Sequence, residues 1–270
     1  MTDLAAPAIE RLQRHPGFAR VPKVGERGYE PPRLGDPLVL PVEEATRGRL
    51  LERGVTVNGS AGVGCVVIVD ARLTGLELGI GFRGHDDCTV IIGMGGPLAG
   101  EVNFWGPGGL AGFGGCGTMH GSRIALTINA GCAAYFAPGF TSVGSQWLVE
   151  EDASGPCCVM AGDDSMVSWD VWCRNSDSHG IFDIASLALI NPARDLVLGA
   201  HVWLGQGVRI SRGVTIGAGS IIGLGAVVAQ DIPARVAAVG TPARVVREGV
   251  TWSRGRQPTE AQMRAMVERL

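Results

Sequence analysis

His179 and Asp177 are the residues whose types and spacing most clearly allow chemistry. They close the run GDDSMVSWDVWCRNSDSH at 162–179. Histidine titrates near neutral pH, so it can take a proton from a hydroxyl as that oxygen attacks a carbonyl, a contribution of roughly 10²–10⁴ in rate. If this piece of chain is extended, Asp177 lies on the same side as His179, and its carboxylate would hold the second imidazole nitrogen and fix the tautomer. The plainer alternative is a surface-loop histidine capped by a nearby aspartate. Of the other four histidines, His201 opens HVWLG at a turn and reads as packing, His85 and His120 sit in polar turns, and His15 belongs to an N-terminal segment. No closely spaced pair stands ready for a metal, as a zinc centre of three histidines would require. Trp169, Trp172 and Arg174 stand just before His179. Exposed tryptophans there would offer an aromatic face to a sugar ring, and Arg174 would orient a hydroxyl or carboxylate, against the ordinary roles of space filling and a surface ion pair.

The elements that must hold these residues are announced by a repeat. Leu198, Leu204, Ile210, Ile216, Ile222 and Val228 fall every six residues, and glycine follows four of them. A strand of two or three residues followed by a tight turn makes one side of a triangular coil, with one aliphatic side chain pointing inward. Three sides make a coil of about 18 residues, and stacked coils bury a continuous apolar column. The repeat predicts an all-β chain, a left-handed parallel β-helix. Upstream, Ile68, Ile80, Ile92, Phe104, Cys116 and Ile128 are twelve apart and read as degraded coils, with the glycine-rich stretch 106–117 interrupting them as a loop. Ala161, Val167 and Cys173 form a third block. Residue 161 lies 37 before 198, not a multiple of six, so a loop leaves the helix at 175–195. Residues 1–60 form a Pro-, Arg- and Glu-rich arm with a helical turn or two over 8–14, stopped by His15-Pro16-Gly17. Residues 61–248 form the β-helix. Residues 249–270 close with a short α-helix, capped by Thr259 and Gln262, with Met263, Met266, Val267 and Leu270 on one face.

Composition agrees. Glycine supplies 42 of 270 residues, far above the average of about 7%, as a fold made of tight turns requires. A net charge of −3, with no block of Lys and Arg, argues against nucleic acid. No apolar run approaches a membrane span and no signal peptide opens the chain, which reads as soluble and cytoplasmic. The seven cysteines include no CxxC pair and read as small reduced core residues.

The strings HVWLGQGVRI at 201–210, GVTIGAGSIIGLGAVVAQDIP at 213–233 and VGTPARVVR at 239–247 resemble the hexapeptide-repeat acyltransferases. The run at 162–179 followed by INPARD at 190–195 resembles the members that O-acetylate sugars and polysaccharides. The resemblance is strong over 158–248, partial over 63–157 and absent from the arm. It implies an acyl-CoA-dependent acetyltransferase with acetyl-CoA as co-substrate, His179 as general base, and a homotrimer with sites at subunit interfaces. Trp203, Gln206, Leu224, Ala229 and Gln230 would border the donor, and Arg244 and Arg247 would take its phosphates, which suit the planar arginine fork. The sequence departs from the usual pattern at Leu224, where relatives have Ala, and at Ala229-Gln230, where they have Thr-Lys. The acceptor implied is a sugar or glycan hydroxyl. Transfer to an amino sugar, serine or an antibiotic-like molecule is the near alternative, and a non-catalytic scaffold the distant one.

Overall fold

The structure is a computed structural model and describes residues 6–117 and 121–270; His120 lies outside the described residues. The chain winds as a parallel β-solenoid. Its first face is an eight-stranded sheet running Pro37–Pro41, Val66–Asp70, Thr89–Ile92, Leu110–Phe113, Ala133–Phe136, Cys158–Ala161, Leu196–Leu198 and Thr215–Ile216, parallel after its first pairing. One coil shows the plan. Leu196–Leu198 lies on the first face, Trp203–Leu204 on the second and Arg209–Ile210 on the third, with a first corner at 199–202, a second at 205–208 and a third at 211–214. Val197 pairs with Thr215, Trp203 with Ile221 and Arg209 with Val227, each 18 residues on. All six residues of the repeat are at most 3% exposed.

The upstream coils are longer and flatter. Thr89 pairs with Leu110, 21 residues on, and Leu110 with Ala133, 23 on. There the second and third faces merge into single strands, Leu98–Phe104, Ser122–Ile128 and Thr141–Val149, so the corner between them disappears and with it the six-residue beat. Ile80, Ile92, Phe104, Cys116 and Ile128 do enter the inner column, reinforced by the stacked rings of Phe82 on Phe104 and Phe113 on Phe136. Ile68 faces the other way: Val67 and Val69 take the inner positions, and Ile68 packs outward beneath the arm. The stretch 106–117 is also not a loop. It contains the buried core strand Leu110–Phe113, and its glycines are there for close approach: a Cβ on Gly112 would stand 2.8 Å from Tyr135 and 2.9 Å from Leu12.

The arm seals the first face. Helix α1 (Ala6–Arg14) and the chain after it bury Ala8, Leu12, Phe18, Val24, Tyr29 and Leu34 against the outer side of that sheet, at roughly 1.5–3 kcal/mol for each large side chain. His15 ends α1: its Nδ1 accepts from Gly17 N and its Nε2 donates to Gly108 O, and burial lowers its pKa. Further on, Pro37–Pro41 adds antiparallel to Val66–Asp70, and helix α2 (Glu44–Leu51) leads into Val55–Asn58 at the head of the other sheet. Asp70 ties this junction. Its buried carboxylate accepts from Gly35 N at 2.7 Å, Asp36 N at 3.1 Å and the Arg72 guanidinium at 2.9 Å.

Arg72 first, then these backbone N–H groups, hold Asp70 well below the usual carboxylate range. The stabilisation is therefore complete above about pH 4, the unfolded value, and is lost as pH falls toward the depressed folded value. Asp70→Asn is expected to cost about 1–3 kcal/mol at pH 7, seen as a lower Tm, and the gap from wild type should narrow below pH 4. An equal gap at pH 7 and pH 3 would remove the carboxylate from this role.

Helix α3 (Glu260–Arg269) carries the expected capping box between Thr259 and Gln262 but buries none of its residues; Met263 and Val267 stay exposed, while Met266 and Leu270 turn toward the first corner. All seven cysteines are buried and unpaired, and burial pushes the thiols of Cys88 and Cys132 up to about 12 and Cys116 to about 11, which makes them inert. Among the described residues no helix is long and apolar enough to cross a membrane.

Candidate active site

After the third-face strand Val171–Arg174 the chain leaves the third corner and returns at Leu196. Two buried asparagines shape the excursion. The Asn175 side chain imitates a strand, accepting from Glu150 N and donating to Glu150 O, both at 2.8 Å. Asn191 closes the loop: its Oδ1 accepts from Ile181 N at 2.6 Å, and its Nδ2 donates to Asp177 Oδ2 at 2.9 Å and His179 O at 2.8 Å. Beyond this neck, residues 181–190 project as a hairpin bridged between Phe182 and Leu189, with every residue exposed.

The loop presents His179 at the surface, and among the described residues its imidazole has no hydrogen-bond partner. Asp177 is not that partner. Ser178 has φ +61°, so the piece is a turn and the alternation that would have put Asp177 and His179 on one side is broken. The Asp177 carboxylate goes instead to Asn191 and to Arg212 Nε at 3.1 Å, which together hold it below the usual range. Ser178 donates to Glu150 and accepts from Arg174 Nη2 at 2.7 Å, so Arg174 braces the loop. A shallow hollow of about 220 Å³ beside His179 is lined by Asn129, Glu150, Glu151, Asp152 and Ser176.

His201 is a packing residue, as its place in the repeat suggests. It sits buried at the first corner with φ +55°. Nδ1 meets Asp164 at 2.8 Å, Nε2 meets Trp252 O at 2.9 Å, and the ring stacks on Trp252 with centroids 4.2 Å apart. Trp252 Nε1 returns a bond to His201 O, and Arg254 grips the far side of Asp164 at 2.7 Å. The clamp fastens the segment before α3 to the corner, with the Trp252 ring 6.0 Å from that of Trp203. Loss of the buried His201 ring, with its bonds to half-exposed Asp164 and buried Trp252, predicts that His201→Ala lowers stability by about 2–4 kcal/mol, read as a fall in Tm; an unchanged Tm would show that the clamp contributes nothing.

The remaining predicted residues fall into two groups, with Trp172 apart from both. Trp203 lies on the outer side of the second face, in register with Ile221, Ala237 and then Arg247, the last on a strand, Arg244–Glu248, that doubles back antiparallel on Val236–Val239. Trp169, Gln206 and Leu224 line the adjacent second corner, joined through Gly207 N to Trp169 O and Gly225 N to Gln206 O. Arg244 is exposed beside them. Ala229 and Gln230 instead extend the third edge, where the His179 loop emerges. Trp172 lies between, on the third face, where its Nε1 donates to Asp170 Oδ1 at 3.2 Å and Arg209 stands 5.9 Å over its ring. Within this chain the His179 loop and the Trp203–Arg247 face therefore stand on different sides of the triangle. Asn191, Arg212 and Glu150, which shape the loop, carry no periodicity or motif of their own; only the position of Asn191 in INPARD marked it.

A solenoid of 18-residue coils, a histidine loop at one corner and a doubled-back strand after Gly-Thr-Pro-Ala-Arg make this a hexapeptide-repeat β-solenoid with the fold of the acyltransferases. The chain is similar to the polysialic acid O-acetyltransferase of Escherichia coli O1:K1 / APEC, 44% identical over 114 residues, which are 42% of this chain and 36% of that protein; the match thus spans about a third of the relative's length. It is also similar to the crystal structure of the polySia-specific acetyltransferase NeuO, with 26% identity, 80% of this chain and 98% of that chain covered, and a TM-score of 0.65. The polysialic acid O-acetyltransferase OatWY shares the fold at 20% identity, with 78% and 92% covered and a TM-score of 0.57. No protein-family model matches the chain.

Proposed function

We propose that this chain is an acetyl-CoA-dependent O-acetyltransferase acting on a hydroxyl of an acidic glycan, with His179 as general base. The observation that carries the reading is the loop that holds His179 exposed at the third corner of a solenoid, in a chain of which 80% aligns with a polysialic-acid-specific acetyltransferase. The imidazole takes the acceptor hydroxyl proton as that oxygen bonds to the thioester carbonyl carbon; the tetrahedral intermediate then expels the CoA sulfur, which recovers the proton from the imidazolium. Asp177, fixed as an anion by Asn191 and Arg212, acts by shaping the loop. Trp203, Gln206 and Leu224 border the pantetheine, and Arg244 and Arg247 meet the nucleotide phosphates. Incubation with labelled acetyl-CoA and polysialic acid should transfer label to the glycan; no transfer to polysialic acid or to neutral glycans would overturn the proposal.

We propose further that the chain assembles as a homotrimer with sites at its interfaces. Ile181, Phe182, Ile184, Leu187, Leu189 and Ile190 are between 51% and 87% exposed on one projecting hairpin, an apolar patch that needs a cover. The arm already occupies the first face, and the second face with its corner, where Trp169, Trp203 and Leu224 are exposed, offers an apolar surface to receive it. This brings the His179 loop of one subunit to the donor groove of the next. Phe182→Asp with Ile184→Asp is expected to give monomers by light scattering and to abolish transfer; an unchanged mass would contradict the assembly. The seven unpaired cysteines and the CoA donor suit a cytoplasmic enzyme.

A further inference from the structure

We infer that Trp105 and Arg83 form a remote subsite for an acidic sugar residue of the acceptor chain, on the same edge of the solenoid as His179; the inference rests on the glycan-acceptor reading above. The register puts these residues on one line. Phe82 stacks on Phe104, Phe104 pairs with Ile128 and Ile128 with Val149, so the residues that follow each of them, Arg83, Trp105, Asn129 and Glu150, occupy successive rungs of the third corner. Asn175 binds the Glu150 backbone and carries the line into Ser176 and the His179 loop. With rungs about 4.8 Å apart, Trp105 lies roughly 14 Å from the loop root.

Trp105 has no structural task that explains it. The core position of its rung belongs to Phe104, which is fully buried, whereas Trp105 is 57% exposed. Its ring carries the Arg83 guanidinium 4.7 Å from its centroid, and among the described residues no ion pair includes Arg83. An exposed indole beside an uncommitted guanidinium suits a ring with an apolar C–H face and a carboxylate.

Position relative to the reaction supports the same ligand. The donor residues Trp203, Gln206, Leu224 and Arg247 belong to the coils after the His179 loop, while Trp105 and Arg83 belong to the coils before it. The hollow between begins at Asn129, one rung from Trp105, and ends at His179. A chain whose reacting residue lies at His179 would therefore place the acid group of a residue several units away against Arg83.

The test measures kcat/KM for sialic acid acceptors from the monomer to long polymers with wild type, Trp105→Ala, Trp105→Phe and Arg83→Ala. Trp105→Ala and Arg83→Ala are expected to lose about five- to tenfold on long chains, with no change on the monomer or dimer, which cannot reach the subsite; Trp105→Phe, which keeps an aromatic face, should retain most of the activity. Losses independent of acceptor length, or no loss on long chains, would overturn the subsite alone. Absence of transfer by wild type at every length would overturn the subsite and the acetyltransferase reading together.

Discussion

His179→Ala is expected to lower kcat for acetyl transfer to the glycan by about 10²–10⁴, the range a positioned general base supplies, with Tm unchanged. The stability expectation follows from the structure: the side chain is exposed and makes no hydrogen bond among the described residues, so its removal leaves no cavity and no unpaired group. KM for acetyl-CoA should move little, because the residues proposed to border the donor, Trp203, Gln206 and Leu224, are others. A variant that keeps wild-type kcat would dismiss His179 as the base, and one that loses kcat only in proportion to lost folded protein would make it a structural residue.

Asn191→Ala should produce the second large effect, a fall in kcat of about 10²-fold, the cost of misplacing a catalytic group by an ångström. One amide holds Ile181 N, His179 O and the Asp177 carboxylate at once. Without it the neck of the loop opens and Asp177 keeps only Arg212. The amide makes all three of its hydrogen bonds within the loop, so Asn191 is a positioning residue, and the distinguishing readout is a fall in kcat with an unchanged KM for the donor. Asn191→Asp retains an acceptor for Ile181 N but sets a second carboxylate against Asp177, and should not rescue. Full activity in both variants would show that the loop holds its shape by other means.

Much of this was legible in the sequence where one residue type repeats for one physical reason. An inward aliphatic every sixth position can be read from Leu198 to Val228 because each coil there has three short sides, and the loop at 175–195 showed itself as a break in that period. Upstream the merged second and third faces remove one corner per coil, so the period dissolves: Ile68 keeps the twelve-residue spacing yet faces the arm, and the glycine-rich composition of 106–117 points to a loop where Gly112 instead permits close packing of the core strand Leu110–Phe113 against Tyr135 and Leu12. The site was half legible. His179 stood out by type and by its place in the break, but its supposed partnership with Asp177 assumed an extended chain, and a single left-handed residue, Ser178, gives that carboxylate to Arg212, 35 residues away. Contacts such as Asn191 to His179 O or His201 to Trp252 O join a side chain to a backbone atom, and no pattern of residue types encodes them.

The central claim is that the His179 loop of one subunit completes the donor groove of its neighbour. Mixing tests it most directly. His179→Ala, which lacks the proposed base, and Trp203→Ala, which lacks a wall of the proposed donor groove, are each expected to lose activity alone, and are to be unfolded and refolded together in equal amounts and assayed for acetyl transfer. Random assembly pairs an intact loop with an intact groove at about a quarter of the interfaces, so the account predicts recovery of about that fraction of wild-type activity. A mixture as inactive as its parents would place the whole site within one protomer and contradict the account.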